Sequence, residues 1–183
     1  MRRIYVALAV MAVALLTTFA TILRGKDLDM MGTYRTYAHE TYDEDAVRCD
    51  VGICSTETFG PFGVRAAMDV EMTFRFDGAV EFNDLTLRYN AGLSGDWHTY
   101  GDRLTLSSDT SSFSYTFAGS SASSNVEEAM VRQLRKFVDV SLVPKIRRKA
   151  IKTNSRTLTV VRRTAERIET NADGEEMVLE RQE

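Results

Sequence analysis

Several kinds of chemistry are missing from this sequence. It has two histidines and two cysteines in 183 residues, and His39 is the only imidazole near Cys49 and Cys54. A tetrahedral zinc site asks for four such ligands, so neither this group nor the isolated His98 reads as a metal centre. None of the serines lies in a Gly-x-Ser-x-Gly elbow, no glycine-rich loop is spaced to cradle phosphate, and no pair of carboxylates stands at a readable catalytic spacing. Asp43, Glu44 and Asp45 lack the alternating oxygen ligands and the glycine of a calcium loop. The chain is therefore read as noncatalytic and without a cofactor. Positive charge is also in short supply. The net charge is −3, where a nucleic-acid binder is usually basic.

Charge is absent altogether between Ile4 and Leu23, behind Arg2 and Arg3 and ahead of Arg24. Those 20 residues are long enough to cross a hydrocarbon core of about 30 Å as a helix. They also suit a signal peptide cleaved after Thr18-Phe19-Ala20. Residues 1–24 are thus a signal peptide or a membrane anchor, residues 25–31 a polar linker, and residues 32–183 a folded domain. Either leader places that domain outside the cytoplasm, in the periplasm, the envelope or the medium, because the two arginines hold the N-terminus inside. For an exported chain, two closely spaced cysteines predict one disulfide, Cys49 to Cys54, stapling an acidic surface loop over Glu40 to Asp50.

The folded part centres on Met68 to Leu106. Val70, Met72, Phe74 and Phe76 recur at every second position, and Asp77-Gly78, Ala91 to Gly95 and Gly101-Asp102 interrupt the runs. This is the pattern of an antiparallel meander. In its first hairpin, a three-residue loop through Ala79 places Phe74 opposite Phe82, whereas a two-residue turn places it opposite Glu81; the hydrophobic pattern favours the longer loop. Trp97 follows on a short strand, and Gly101-Asp102 turns it into Leu104 and Leu106. Nine serines between Ser107 and Ser124 surround the alternating Phe113, Tyr115 and Phe117, which predict one more strand.

Gly32-Thr33-Tyr34, Phe74-Arg75-Phe76-Asp77-Gly78 with Phe82, Trp97, and Gly101-Asp102-Arg103-Leu104-Thr105-Leu106 together resemble the lipocalin-like domains of small exported bacterial proteins. The resemblance spans roughly Gly32 to Phe117, with Tyr34 standing where that family usually has Trp. It implies a small antiparallel barrel and supplies no catalytic residues.

The period changes after Ser124. Ser124 to Glu127 forms a capping-box pattern, and Val126, Met130, Leu134, Phe137 and Val138 follow at helical spacing. The pattern predicts a helix from Asn125 to about Ile151, broken or kinked at Pro144, with strands returning at Thr157 to Val161 and Glu176 to Arg181. The expected fold is mainly β with one α insertion: a meander closing into a small barrel or a strongly curved sheet.

Two roles fit this pattern. In the first, the barrel holds a small apolar ligand against Phe74, Phe76, Phe82 and Trp97. The second rests on charge asymmetry: Asp27 to Asp102 holds 15 acids and 5 bases, whereas Arg132 to Arg163 holds 11 bases and one acid. A basic helix carrying Lys145, Arg147, Arg148 and Lys149 is suited to an anionic lipid surface, a polyanionic glycan or an acidic protein. Nucleic acid is excluded as a partner by the negative charge and the leader.

Overall fold

The computed structural model describes residues 15–18, 20–44, 47–76, 84–172 and 174–182. Its clearest element is β3 (Gly63–Phe76), where every even-numbered residue from Val64 to Phe74 is buried. That alternation turns one face of the strand to a core and the other to water. The same logic builds the neighbours β1 (Gly32–Glu44), β2 (Val47–Gly60), β4 (Leu85–Tyr100) and β5 (Arg103–Ser120). Three shorter strands follow, β6 (Thr157–Arg163), β7 (Arg167–Ala172) and β8 (Glu175–Arg181), and all eight pair in sequence order around a closed antiparallel barrel.

The first five strands run 13 to 18 residues and the last three only six or seven. The ring is therefore complete at one end only. At the other end a helical segment takes the place of the missing wall. It comprises α1 (Asn125–Phe137), a π-helical turn (Val138–Leu142) and α2 (Val143–Thr153). Val131, Val138, Leu142, Ile146 and Ala150 from this segment pack against inward residues of β2, β3 and β4, among them Val51, Met68, Met72 and Leu87. A second core fills the closed end, with Tyr34, Phe59, Trp97, Leu104, Leu158, Ile168 and Leu179.

The helix starts at Asn125 as its sequence predicts, and the capping box forms: Glu127 N donates to Ser124 Oγ at 3.2 Å and Ser124 N to Glu127 Oε2 at 3.1 Å. Ser124→Ala removes one half of this pair and is expected to cost about 1 kcal/mol, read as a lower midpoint in urea unfolding. Pro144 falls in the first turn of α2. It has no N–H for the carbonyl four residues earlier, and the helix passes this point by widening into the π-helical turn.

Several expectations are corrected. The Cys49–Cys54 disulfide is not formed, and both thiols are free. Both residues lie on β2, five positions apart, so their Cα atoms stand about 16 Å from each other and their side chains point to opposite faces. A disulfide needs Cα atoms within about 7 Å. Nor is Glu40 to Asp50 a stapled loop, because β1 and β2 pair along it from Gly32↔Phe59 to Glu44↔Val47. Burial pushes the Cys49 thiol up to about 12, which makes it inert. Iodoacetamide at pH 8 should modify at most Cys54 in the folded chain and both cysteines after unfolding, as read by mass.

The first hairpin also has a different register, with Phe74 opposite Leu85 rather than Phe82. The loop itself, with Phe82, lies outside the described residues. Val80 and Phe82 are out of phase with Leu85, Leu87, Tyr89, Ala91 and Leu93. The longer set wins: the observed pairing turns all five inward, where the predicted one would have buried Thr86 and Arg88 instead.

Trp97 is not on a short separate strand, and Leu104 to Phe117 is not two strands. β4 and β5 are continuous, with register shifts between Arg88 and Tyr89 and between Gly92 and Ser94. Gly95, within the expected interruption from Ala91 to Gly95, marks a close approach of strands: a Cβ there would collide with the Ser107 carbonyl oxygen. Finally, β7 is a strand that the sequence pattern did not reveal.

Candidate ligand cavity

β1 and β8 close the ring through only two residue pairs, Tyr34↔Arg181 and Arg35↔Glu180. Above these pairs the two strands part, and α2 lies behind the opening. The resulting cavity has a volume of about 370 Å³. Its β1 wall is Arg35 to Ala38 with Glu40 and Tyr42, and its β8 wall is Glu176 to Val178 with Glu180. The back is largely apolar, from Val51, Ile53 and Met68 on the sheet and from Ile146 and Ala150 on α2.

Glu57 closes the cavity at its deep end. It lies on the inward face of β2 in phase with Val51, Ile53 and Phe59, so strand alternation carries its carboxylate into the barrel. The residue is 3% exposed and its Oε2 has no hydrogen-bond partner among the described residues. Burial pushes its carboxyl up to about 6, with the Arg156 guanidinium pulling the other way. Arg156 is itself incompletely satisfied. Its Nη2 reaches Met177 Sδ at 3.3 Å and its Nη1 lies 4.0 Å from Glu175, but its buried Nε has no partner among the described residues. Nearby, Asn154 is held by a bond from its Nδ2 to the Ala150 carbonyl, and Ser108 Oγ donates to the Asn154 carbonyl. These groups form a polar layer between the two apolar cores.

At the upper edge of the cavity, Tyr42 donates to Glu40 at 2.5 Å, and Lys149 from α2 pairs with the same carboxylate. Lys145 lies over the Tyr42 ring at 5.7 Å. On the far side of Tyr42 a second cavity of about 480 Å³ opens between β1, β2 and the helical segment, lined by Val47, Cys49, Phe74, Leu134, Phe137 and Leu142. Tyr42 and the bases of α2 thus separate two hollows of one groove.

The aromatic residues singled out in the sequence do not form one lining. Phe74 is in the helix-covered core beside the second cavity, and Phe76 is partly buried against that core. Phe82 lies outside the described residues. Trp97 is in the other core, where its Nε1 donates to the Gly60 carbonyl at 2.9 Å and Phe59 meets its ring edge-on at 5.5 Å. Of the basic residues, Lys149 and Lys145 are engaged as described, Arg147 donates to the Thr110 carbonyl at 3.0 Å, and Arg148 is exposed. Sequence reasoning missed Glu57. The signal available was an acid in phase with apolar residues along Val51, Ile53, Ser55, Glu57 and Phe59.

Compared with known proteins, the chain matches no family model and no curated sequence.

Proposed function

We propose that the protein is a noncatalytic binding protein with a lipocalin-like domain, which takes a small, largely apolar ligand through the parting between β1 and β8. The observation that carries this reading is the cavity of about 370 Å³, apolar along its back and ending on a buried carboxylate oxygen without a partner. Small-molecule sites have this form, an apolar hollow of about 300–1,000 Å³ with few polar groups that fix orientation. An eight-stranded up-and-down antiparallel barrel is also the architecture of the lipocalins.

The leader supports an exported location, in the periplasm, the envelope or the medium, with a membrane tether if the leader stays attached. No helix among the described residues is long and apolar enough to cross a membrane, and most of the stretch from Ile4 to Leu23 lies outside them. The alternative reading, a basic helical face for anionic lipid, glycan or acidic protein, draws less support. Lys145, Lys149 and Arg147 already make contacts within their own chain.

The neutral probe N-phenyl-1-naphthylamine tests the reading. Its fluorescence should rise saturably on addition of the full chain, and Ile53→Trp, which fills the cavity, should abolish the rise while leaving the fold intact by circular dichroism. An unchanged response in Ile53→Trp would place the probe elsewhere and overturn the reading.

A further inference from the structure

The lining of the cavity is not electrically neutral, and the buried carboxylate at its deep end has a definite sense. Glu57 Oε2 can only accept a hydrogen bond when ionised, and no group among the described residues supplies one. The remaining charged lining consists of Glu40, Glu176 and Glu180 against Arg35 and Lys149. Lys149 is already paired with Glu40. Glu176 and Glu180 are exposed on β8, out of phase with the buried Leu179, and edge the opening together with Arg35, whose buried Nε has no partner among the described residues; Glu57 is the one buried carboxylate of the lining. Beyond the lining, the largely buried Arg156 stands by Glu57 without donating to its Oε2, and the Glu175 carboxylate 4.0 Å from Arg156 is 86% exposed.

From this arrangement we infer that the ligand is a cationic single-chain amphipath, a protonated amine on a hydrocarbon chain. Its ammonium donates to Glu57 Oε2 and its chain lies along Val51, Ile53, Met68 and Ile146. The inference rests on the cavity reading above and adds the chemistry of the head group to it. A ligand carboxylate would set like charges together at the deep end, which costs affinity. A neutral alcohol can satisfy Glu57 with one hydrogen bond but forms no ion pair with it. Size agrees as well. A dry cavity of about 150 Å³ takes benzene, so on that scale 370 Å³ takes about fifteen non-hydrogen atoms. A dodecyl chain with one nitrogen is within that range. Longer chains have the second cavity ahead of them past Tyr42, since β2 runs from Val47 beside that cavity to Glu57, about 33 Å of strand.

Calorimetric titration of the full chain with dodecylamine, dodecanol and dodecanoate, each below its micellar concentration at neutral pH, tests the inference. The amine is expected to bind at least tenfold more tightly than the alcohol, with the carboxylate weakest. Glu57→Gln, which keeps the shape of the side chain, should bring the amine to the affinity of the alcohol and leave the alcohol unchanged. Equal binding of all three by the unaltered chain, or an amine preference that survives Glu57→Gln, would overturn the inference. If the alcohol binds and Ile53→Trp blocks it, but the amine has no advantage, only the head-group chemistry falls. If none of the three binds, the cavity reading falls with it.

Discussion

Trp97→Ala is expected to destabilise the chain by about 3–5 kcal/mol, a large part of the roughly 5–15 kcal/mol that holds a domain together. The ring is fully buried in the closed-end core and edge-on to Phe59, and its Nε1 satisfies the Gly60 carbonyl. It is also the floor beneath Lys26. That lysine's Nζ lies 5.0 Å from the ring centroid, pairs with Asp96, and donates to the Trp97 carbonyl at 3.0 Å, although its side chain is only 3% exposed. Removing the ring opens a cavity next to a buried cation and weakens the seating of the residues before β1. There, Gly25 accepts from Thr99 N and Met30 is buried beside the same core. Urea unfolding monitored by circular dichroism gives the difference directly. Trp97→Phe should recover part of the loss. A cost below about 1 kcal/mol for Trp97→Ala would mean that the ring does not anchor this end of the barrel.

Glu57→Gln should do the reverse, stabilising the chain near neutral pH and flattening its pH dependence. The carboxyl is raised from 4.5 to about 6 by burial, so the folded chain holds the proton more tightly than the unfolded chain does. The stability tied to this proton is fully present below about pH 4.5 and is lost as pH rises through 6. A rise from 4.5 to about 6 corresponds to a contribution on the order of 2 kcal/mol. The unaltered chain should therefore lose about that much relative to Glu57→Gln between pH 4 and pH 7.5, measured as the difference in unfolding free energy. No difference, or one of opposite sign, would mean that the carboxylate is solvated or paired in solution. Under the proposed ligand-binding role, the cost has a functional counterpart. A buried acceptor that burdens the empty barrel is relieved when a ligand donates to it, so part of the binding energy comes from the penalty already present.

Much of the architecture follows from local periodicity. The alternation in β3 and the capping box before α1 each engage their own neighbours, so a short window of sequence contains the relevant physics. The failures occurred where distant pairing decides. Phe82 competes with Leu85, Leu87 and Tyr89 for the inward face, and only the whole length of β4 settles the phase. Cysteines five apart read as a small loop until the residues between them are known to be extended. β7 carries only Ile168 and Thr170 buried, in a run of polar and charged residues, and is held by pairing with β6 and β8 rather than by a hydrophobic pattern of its own. The cavity was the least legible feature. It exists because β1 and β8 meet in two pairs and then separate, a consequence of strands of unequal length that no local motif records. Glu57 becomes a site residue only once α2 covers that parting.

Native mass spectrometry of the protein, isolated gently from the cells that make it and compared with a denatured spectrum, tests the central claim most directly. The account predicts a reproducible extra mass of a small molecule in the native spectrum that disappears on denaturation and is missing from Ile53→Trp. A native spectrum at the bare polypeptide mass, or an adduct that Ile53→Trp retains, would contradict a ligand held in the cavity between β1, β8 and α2.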